Sequence, residues 1–144
     1  MSTLAIVTAI PEELPDSGNL SETVFFNLPK TKIDRYVLLI ADLEGSSKLA
    51  QWAEENSIDY LIGDADSVKD RIDKAIKKYD PDILIRLMLR ACWMDVELVD
   101  ETIDCLIDTE SDYVEYALNI NYAMGADCFT KEAFFRAKKI LMKY

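Results

Sequence analysis

Histidine is absent from the 144 residues of this sequence. Without an imidazole, the chain cannot form a Ser-His-Asp triad, a Cys-His pair or a metal site built on histidine. Any proton transfer would fall to a carboxylate, a lysine, a tyrosine or water. A metal ion would need oxygen ligands, which suit Mg²⁺ or Ca²⁺.

Positive charge is scarce as well, since 16 Lys and Arg stand against 27 Asp and Glu and give a net charge of −11. This balance argues against a nucleic-acid partner, whose backbone rewards clustered basic residues, and against an anionic membrane surface. No apolar run approaches the roughly 18 residues of a membrane span, and the N-terminus shows no secretory signal. We therefore expect neither nucleic-acid nor membrane binding.

Cysteine is sparse, and Cys92, Cys105 and Cys128 are odd in number and far apart. Reduced thiols in a cytoplasmic protein are the simplest interpretation of this pattern. A reactive thiol would need a lowered pKa, and Cys92 has no histidine to supply it, so we expect Cys92 to be buried and inert.

Alternating strand and helix patterns predict the fold. Half of the residues are hydrophobic, which is enough for one packed domain over residues 1–144. Apolar runs typical of buried strands occupy residues 4–9, 36–41, 60–62 and 81–90, and amphipathic helices follow, ending at residues 56, 79 and 108. We predict an α/β three-layer sandwich around a mostly parallel, Rossmann-like sheet.

The remaining segments give weaker signals. Residues 24–26 form either a brief strand or a hydrophobic patch, and residues 113–118 resemble another strand. Gly125 marks a turn, and the last helix begins at about Lys131 and buries Phe134, Ala137 and Leu141. We expect Ser46 or Ser47 to cap the first helix.

The run that ends at Arg90 is the expected centre of the molecule, because ligands in open α/β sheets bind beyond the carboxyl ends of strands. Alternation places Arg86 and Arg90 on one face of this strand. Two arginines there could clamp an anion such as phosphate. The more ordinary alternative, which we favour, is that each pairs with a neighbouring carboxylate.

Acidic residues also follow several strands, and they could gather Mg²⁺ or Ca²⁺. More often such residues cap helices and face solvent. The candidates are Asp42, Glu44, Asp64, Asp66 and Asp95.

Two further features have a functional and a structural interpretation. The turn at residues 45–48 could bind an anion at a helix N-terminus, although an ordinary helix start is favoured. Trp93 and Met94 follow the central strand and either fill a pocket or anchor an interface. Filling the pocket is the simpler choice.

Several consecutive segments resemble the cytidylyltransferase family that includes CMP-Kdo synthetase and the spore-coat polysaccharide protein F group. Residues 63–71 are similar to the family's "GdedDVLdR", and residues 82–100 to "advvvRvtgDcPliDpelid". Residues 111–114 resemble "aDyvs", and residues 125–134 a shortened "GldvEvFsreaL". The resemblance implies a shortened version of the nucleotide-diphospho-sugar transferase fold.

The departures from the family pattern concern its nucleotide and metal sites. The family's Gly-rich loop with "LPGK" corresponds to residues 7–16, which lack glycine and include Glu12 and Glu13. The family's metal-binding Asp in "vtgDcP" aligns with Arg90, the small residue before it with Leu89, and the Pro after it with Cys92. A unit positive charge about 5 Å from Mg²⁺ costs roughly 6 kcal/mol at an effective dielectric constant of about 20.

The family's reaction, attack of a sugar hydroxyl on the α-phosphorus of CTP with Mg²⁺ neutralising charge, is therefore expected to be lost. We predict a degenerate, non-catalytic binding or regulatory domain related to CMP-sugar biosynthesis, without a resident cofactor. The alternatives are an active cytidylyltransferase that uses Mg²⁺ and an oligomeric scaffold. The expected partners are a nucleotide or nucleotide sugar, a second copy, or another protein.

The candidate site residues divide into two groups. Those for nucleotide or anion binding are Arg86, Arg90, Asp66 and Arg71, and those for metal binding are Asp95 and Asp127.

Overall fold

A computed structural model describes residues 1–115 and 125–141, with the side chains described as far as residue 138. Within this part, six strands form one sheet in the order β3-β2-β1-β4-β6-β5. The strands are β1 (Thr3–Ala9), β2 (Arg35–Ala41), β3 (Tyr60–Gly63), β4 (Ile83–Met88), β5 (Tyr113–Val114) and β6 (Asp127–Thr130). The first four are parallel, whereas β6 runs antiparallel to both β4 and β5.

Four helices cover the two faces of the sheet. They are α1 (Ser46–Glu55), α2 (Val68–Tyr79), α3 (Val96–Asp108) and α4 (Lys131–Leu141). The apolar sides of α1 and α3 share one core cluster with Ile83 and Ile85, whereas α2 and α4 pack with Leu84 on the opposite face. The predicted α/β three-layer sandwich with a mostly parallel sheet is thereby confirmed. None of the helices in the described ranges is long and apolar enough to cross a membrane.

Strand alternation fixes which face each residue of β4 occupies. Ile83, Ile85 and Leu87 are buried on the α1/α3 face, and Arg86 and Met88 are exposed on the other. In the sheet, Arg86 pairs with Ile6 of the parallel strand β1 and with Asp127 of the antiparallel strand β6. The predicted alternation is correct for Arg86, but the strand ends at Met88, so Arg90, which was expected on the same face of the strand, lies in the turn beyond it.

Several local predictions need correction or completion. Residues 24–26 form a 3₁₀ turn and not a strand, and Val24 and Phe25 are buried there as a hydrophobic patch. The strand expected at 113–118 is described only as Tyr113–Val114, and residues 116–118 lie outside the described residues. Strand β6 is an addition, because no strand was predicted between the Gly125 turn and Lys131.

Two helix predictions were wrong in detail. Helix α1 is not capped by a serine side chain, because it begins at Ser46 directly after Gly45, whose φ of 92° belongs to the left-handed region. Ala137 of α4 was expected to be buried but is exposed, whereas Phe134 packs against the core as predicted. The side chain of Leu141 lies outside the described part.

Three helix ends use left-handed residues other than glycine. Ser57, Asp80 and Glu110 have φ values of 56°, 45° and 51°. After α1, the amide of Ile58 donates to the carbonyl of Ala53 at 2.8 Å, and that of Ser57 donates to Glu54 at 3.2 Å, which is the pattern of a Schellman cap. Glycine usually occupies the left-handed position of this cap because it lacks a Cβ.

We expect Ser57→Gly to raise the free energy of unfolding by about 1 kcal/mol, because the substitution removes the left-handed strain. Urea unfolding followed by circular dichroism measures the change. Gln51→Gly, in the exposed interior of α1, is the control and should lower stability by about 1 kcal/mol. Equal losses in both variants would contradict the interpretation.

Candidate functional site

The carboxyl ends of β1, β2, β3 and β4 meet at one edge of the sheet, as expected for parallel neighbours. Backbone hydrogen bonds tie the loops of this edge together. The amide of Asp42 donates to the carbonyl of Gly63 at 2.8 Å, and the amide of Val24 donates to that of Leu89 at 2.8 Å. These hydrogen bonds connect the loops that carry the candidate side chains.

Arg90 bridges the loop after β4 to the loop after β1. Its Nε donates to the backbone carbonyl of Glu13 at 2.8 Å, and Nη2 donates to that of Glu12 at 3.0 Å. From the sequence, Arg90 was expected to bind an anion or to pair with a carboxylate. Its observed acceptors are backbone carbonyls instead. A guanidinium presents its donors in a planar fork, so one side chain can fix two successive carbonyls.

The turn held by Arg90 also packs on the start of α1. Residues 11–13 form a 3₁₀ turn, and the Glu13 carboxylate accepts a hydrogen bond from the amide of Ile10 at 3.1 Å. A Cβ built on Gly45 would lie 3.2 Å from the Cβ of Pro11. The turn at residues 45–48, considered earlier for anion binding, therefore packs closely against the loop after β1.

Arg71 is a buried arginine, only 5% exposed, on the first turns of α2. Its Nη1 donates to the carbonyl of Leu39 in β2 at 3.3 Å, and its Nε is buried without a partner in the described structure. Burial lowers the pKa of this guanidinium, and the neighbouring charge of Arg86 lowers it further, while Asp64 and Glu13 oppose the shift. No sequence pattern predicted the burial of this candidate.

Gly63 makes room for Arg71. A Cβ on Gly63 would lie 2.8 Å from Cγ of Arg71, closer than carbon atoms approach without displacement. The nearby Lys74 Nζ donates to the carbonyl of Ile62 at 3.3 Å. The glycine and arginine at the two ends of the 63–71 motif are therefore in contact, although the motif alone does not reveal it.

Arg86 and Asp127 face each other across β4 and β6, but they do not form an ion pair within 4 Å among the described residues. Burial raises the pKa of the Asp127 carboxyl, against the lowering effect of a hydrogen bond from Tyr113 and of the charge of Arg86. Tyr113 also donates to Glu115 at 3.0 Å. The pair is an electrostatic contact between separated charges.

The predicted acidic candidates are dispersed and locally engaged. Asp95 is exposed and caps α3, since its Oδ1 accepts from the amide of Leu98 at 3.1 Å. Asp66 is exposed, and its amide donates to Oδ1 of Asp64 at 2.9 Å. Across the described ranges, no group of three acidic or cysteine side chains is arranged to hold a metal ion. The donor set there does not fit a Mg²⁺ site, and the roles of Asp95 and Asp127 stay predictions.

The side chains that follow β4 do not lie as predicted, since Trp93 and Met94 were expected to fill a pocket. Trp93 is 70% exposed, so it does not fill a pocket, and Met94 is 4% exposed and belongs to the core. The side-chain amide of Asn27 donates to the carbonyl of Cys92 at 2.9 Å. Cys92 is half-buried, where full burial was expected, and all three cysteines are free.

Solved structures with the same architecture have been found. A cytidylyltransferase from Leptospira borgpetersenii serovar Hardjo-bovis (strain JB197) superimposes with a TM-score of 0.81 and 18% sequence identity. The fold is that of the cytidylyltransferases. The match covers 97% of this chain and 65% of the Leptospira chain, so the present chain is shorter than its structural neighbour.

A second cytidylyltransferase-fold neighbour is a CMP:2-keto-3-deoxy-manno-octonic acid synthetase, whose structure was solved in complex with CTP. It has a TM-score of 0.72 and 10% identity, and the match covers 96% of this chain and 78% of that one. No protein-family model and no curated protein sequence matches the chain. The resemblance read from the sequence is thereby supported at the level of the fold.

We expect Gly63→Ala to lower the free energy of unfolding by about 1–2 kcal/mol, because the new methyl group overpacks against Arg71. In an Arg71→Ala background the same change should cost much less, and urea unfolding of all four proteins measures this coupling. Gly18→Ala is the control: its φ is 66° and nothing lies within 4 Å of the added Cβ, so its cost should not depend on residue 71. An unchanged Gly63 penalty in that background would contradict the assigned contact.

Removing the Arg90 side chain should loosen the turn that it holds. In Arg90→Ala we expect faster hydrogen exchange at the amides of residues 13 and 14 and a loss of about 1 kcal/mol in stability. Arg90→Lys keeps the charge but loses the planar fork, and it should restore only part of the protection. Exchange equal to wild type in Arg90→Ala would show that the turn does not depend on this side chain.

Proposed function

We propose that the chain is a nucleotidyltransferase-like domain that binds a nucleotide or nucleotide sugar without transferring it, as a binding or regulatory protein of CMP-sugar metabolism. The pair of hydrogen bonds from Arg90 to the carbonyls of Glu12 and Glu13 is the observation that supports this most. By resemblance, Arg90 stands where active relatives have a metal-binding Asp. The loop that it fastens corresponds to their triphosphate loop.

The chemistry of this corner opposes the family reaction in two ways. A fixed positive charge at position 90 repels Mg²⁺, and Nε and Nη2 of Arg90 are already bonded to the backbone of Glu13 and Glu12. Glu12 and Glu13 add negative charge where a triphosphate would need backbone amides brought close by glycine. Both effects favour a domain that has kept the fold and lost the transfer step.

The ligand class follows from the fold neighbour that was solved with CTP. Ligand at about 100 times its dissociation constant would stabilise the fold by about 2.7 kcal/mol, which a thermal shift detects easily. CTP, CMP and CMP-sugars are the compounds to compare, each with and without Mg²⁺.

We expect no pyrophosphate release from CTP above the enzyme-free rate when Mg²⁺ and 2-keto-3-deoxy-manno-octonic acid are supplied. The measurement is a coupled pyrophosphate assay, with the Leptospira cytidylyltransferase-fold protein and the synthetase solved with CTP assayed in parallel. Metal-dependent release by the wild-type chain would overturn the proposal in favour of an active transferase.

A scaffold role is the second candidate, and the 70% exposure of Trp93 favours it. Tryptophan is enriched among residues that anchor protein interfaces. If no nucleotide shifts the melting temperature, and sedimentation shows self-association that Trp93→Ala abolishes, the scaffold interpretation replaces nucleotide binding.

A further inference from the structure

The α2/α4 face of the sheet carries two arginines that lack an acidic partner. Arg71 and Arg86 both lie near the carboxyl ends of the strands, and neither forms an ion pair with a described residue. With 27 acidic residues in the chain, such partners would be easy to supply. Asp64, Glu13 and Asp127 act on the pair only as neighbouring charges, so the two guanidiniums are left without a carboxylate at ion-pair distance among the described residues.

The sheet register brings the two guanidiniums toward each other. Arg71 reaches the carbonyl of Leu39 on β2, and Arg86 extends from β4 on the same face, with β1 between them. Strands two apart are separated by about 10 Å, a span that two arginine side chains can close. The lowered pKa of Arg71, to which the charge of Arg86 contributes, agrees with this proximity.

Arg71 is poorly satisfied for a buried cation. Its Nε has no hydrogen-bond partner, and its one hydrogen bond to a described residue, to Leu39, is long at 3.3 Å. A buried donor without an acceptor costs about 1–3 kcal/mol, and more when it is charged. Nε itself is closed to solvent, so a ligand oxygen would accept from the outer nitrogens of the guanidinium, which carry four of its five N–H donors.

The acidic groups near Arg71 and Arg86 are already engaged by other donors. Oδ1 of Asp64 accepts from the amide of Asp66, Oε1 of Glu13 accepts from the amide of Ile10, and Asp127 accepts from Tyr113. None of the three carboxylates forms an ion pair within 4 Å of either guanidinium. We expect an oxygen of the ligand to supply the acceptor that the guanidinium donors of Arg71 and Arg86 lack in the described structure.

We propose that Arg71 and Arg86 together bind one phosphate group of the ligand, directly through guanidinium hydrogen bonds and without a bridging metal ion. Phosphate oxygens match the planar donor fork of arginine, and such charge-assisted bonds are about twice as strong as neutral ones. The inference deepens the proposed function, on which it rests for the identity of the ligand. It moves phosphate recognition from the loop after β1 to the α2/α4 face.

The test is a calorimetric titration of the full chain with CMP, cytidine and inorganic phosphate in the presence of EDTA. We expect wild type to bind CMP without metal, and Arg86→Gln to weaken CMP by about tenfold or more while cytidine binding stays the same. Arg35→Gln removes an exposed arginine at the opposite edge of the sheet and should leave all affinities unchanged.

Arg71 needs a conservative variant because the residue is buried. Arg71→Lys keeps the charge and should weaken CMP and inorganic phosphate in parallel while the protein stays folded by circular dichroism. Equal CMP affinity in wild type and Arg86→Gln, or loss of CMP binding on chelation of metal, overturns the inference. So does the absence of both CMP and phosphate binding by wild type.

The outcomes separate this inference from the proposed function. Arg86-dependent binding of inorganic phosphate without CMP binding supports the phosphate site and shows that the phosphate belongs to another class of ligand. Pyrophosphate release from CTP would refute the proposed lack of transfer and leave the dependence on Arg86 to stand as a separate result.

Discussion

Arg90 holds together the edge of the sheet at which the candidate site lies. Its two hydrogen bonds reach the backbone of Glu12 and Glu13, so the loop after β1 is fixed from the end of β4, its neighbour in the sheet. The same turn places Pro11 against Gly45 at the start of α1. One side chain thereby sets the relative position of three loops, and the shape of the edge depends on it.

The opposite face of the same edge is organised around a different arginine. Arg71 extends from the first turns of α2 onto Gly63, where burial lowers its pKa and leaves Nε unpaired. A buried cation without a counter-ion does not add to stability in the way that a packed leucine would. Its position at the carboxyl end of the sheet, against Gly63, fits a binding role better than a structural one, which is why the phosphate assignment rests on it.

The fold followed from the sequence because its strands are long apolar runs separated by amphipathic helices. The apolar runs at residues 36–41 and 81–90 predicted β2 and β4, although β4 is limited to Ile83–Met88. Strand β6 escaped prediction because Asp127–Thr130 is short, half-polar and paired antiparallel, so its pattern resembles a turn. The Gly45 cap was missed because two serines beside it offered a stronger side-chain signal.

The candidate site was less predictable because its decisive contacts involve the backbone. The acceptors of Arg90 are carbonyl oxygens, which every residue has, so no residue type in the sequence marks them. The exposure of Trp93 and the burial of Met94, adjacent in sequence, likewise depend on how the loop after β4 turns. The Gly63–Arg71 contact joins the two ends of a motif that the sequence shows, but the motif alone does not reveal that these ends touch or that Arg71 is buried.

A contact made to main-chain oxygens has an evolutionary consequence. Arg90 does not contact the side chain of Glu12, so position 12 can exchange its acid for a neutral or basic residue while the turn keeps its course, whereas the Glu13 carboxylate itself accepts from the amide of Ile10. A single substitution at position 12 can therefore change the electrostatic potential at this edge of the sheet in descendants of this chain. The guanidinium fixes the backbone of this turn, and the exposed side chain at position 12 can change by evolution or by design.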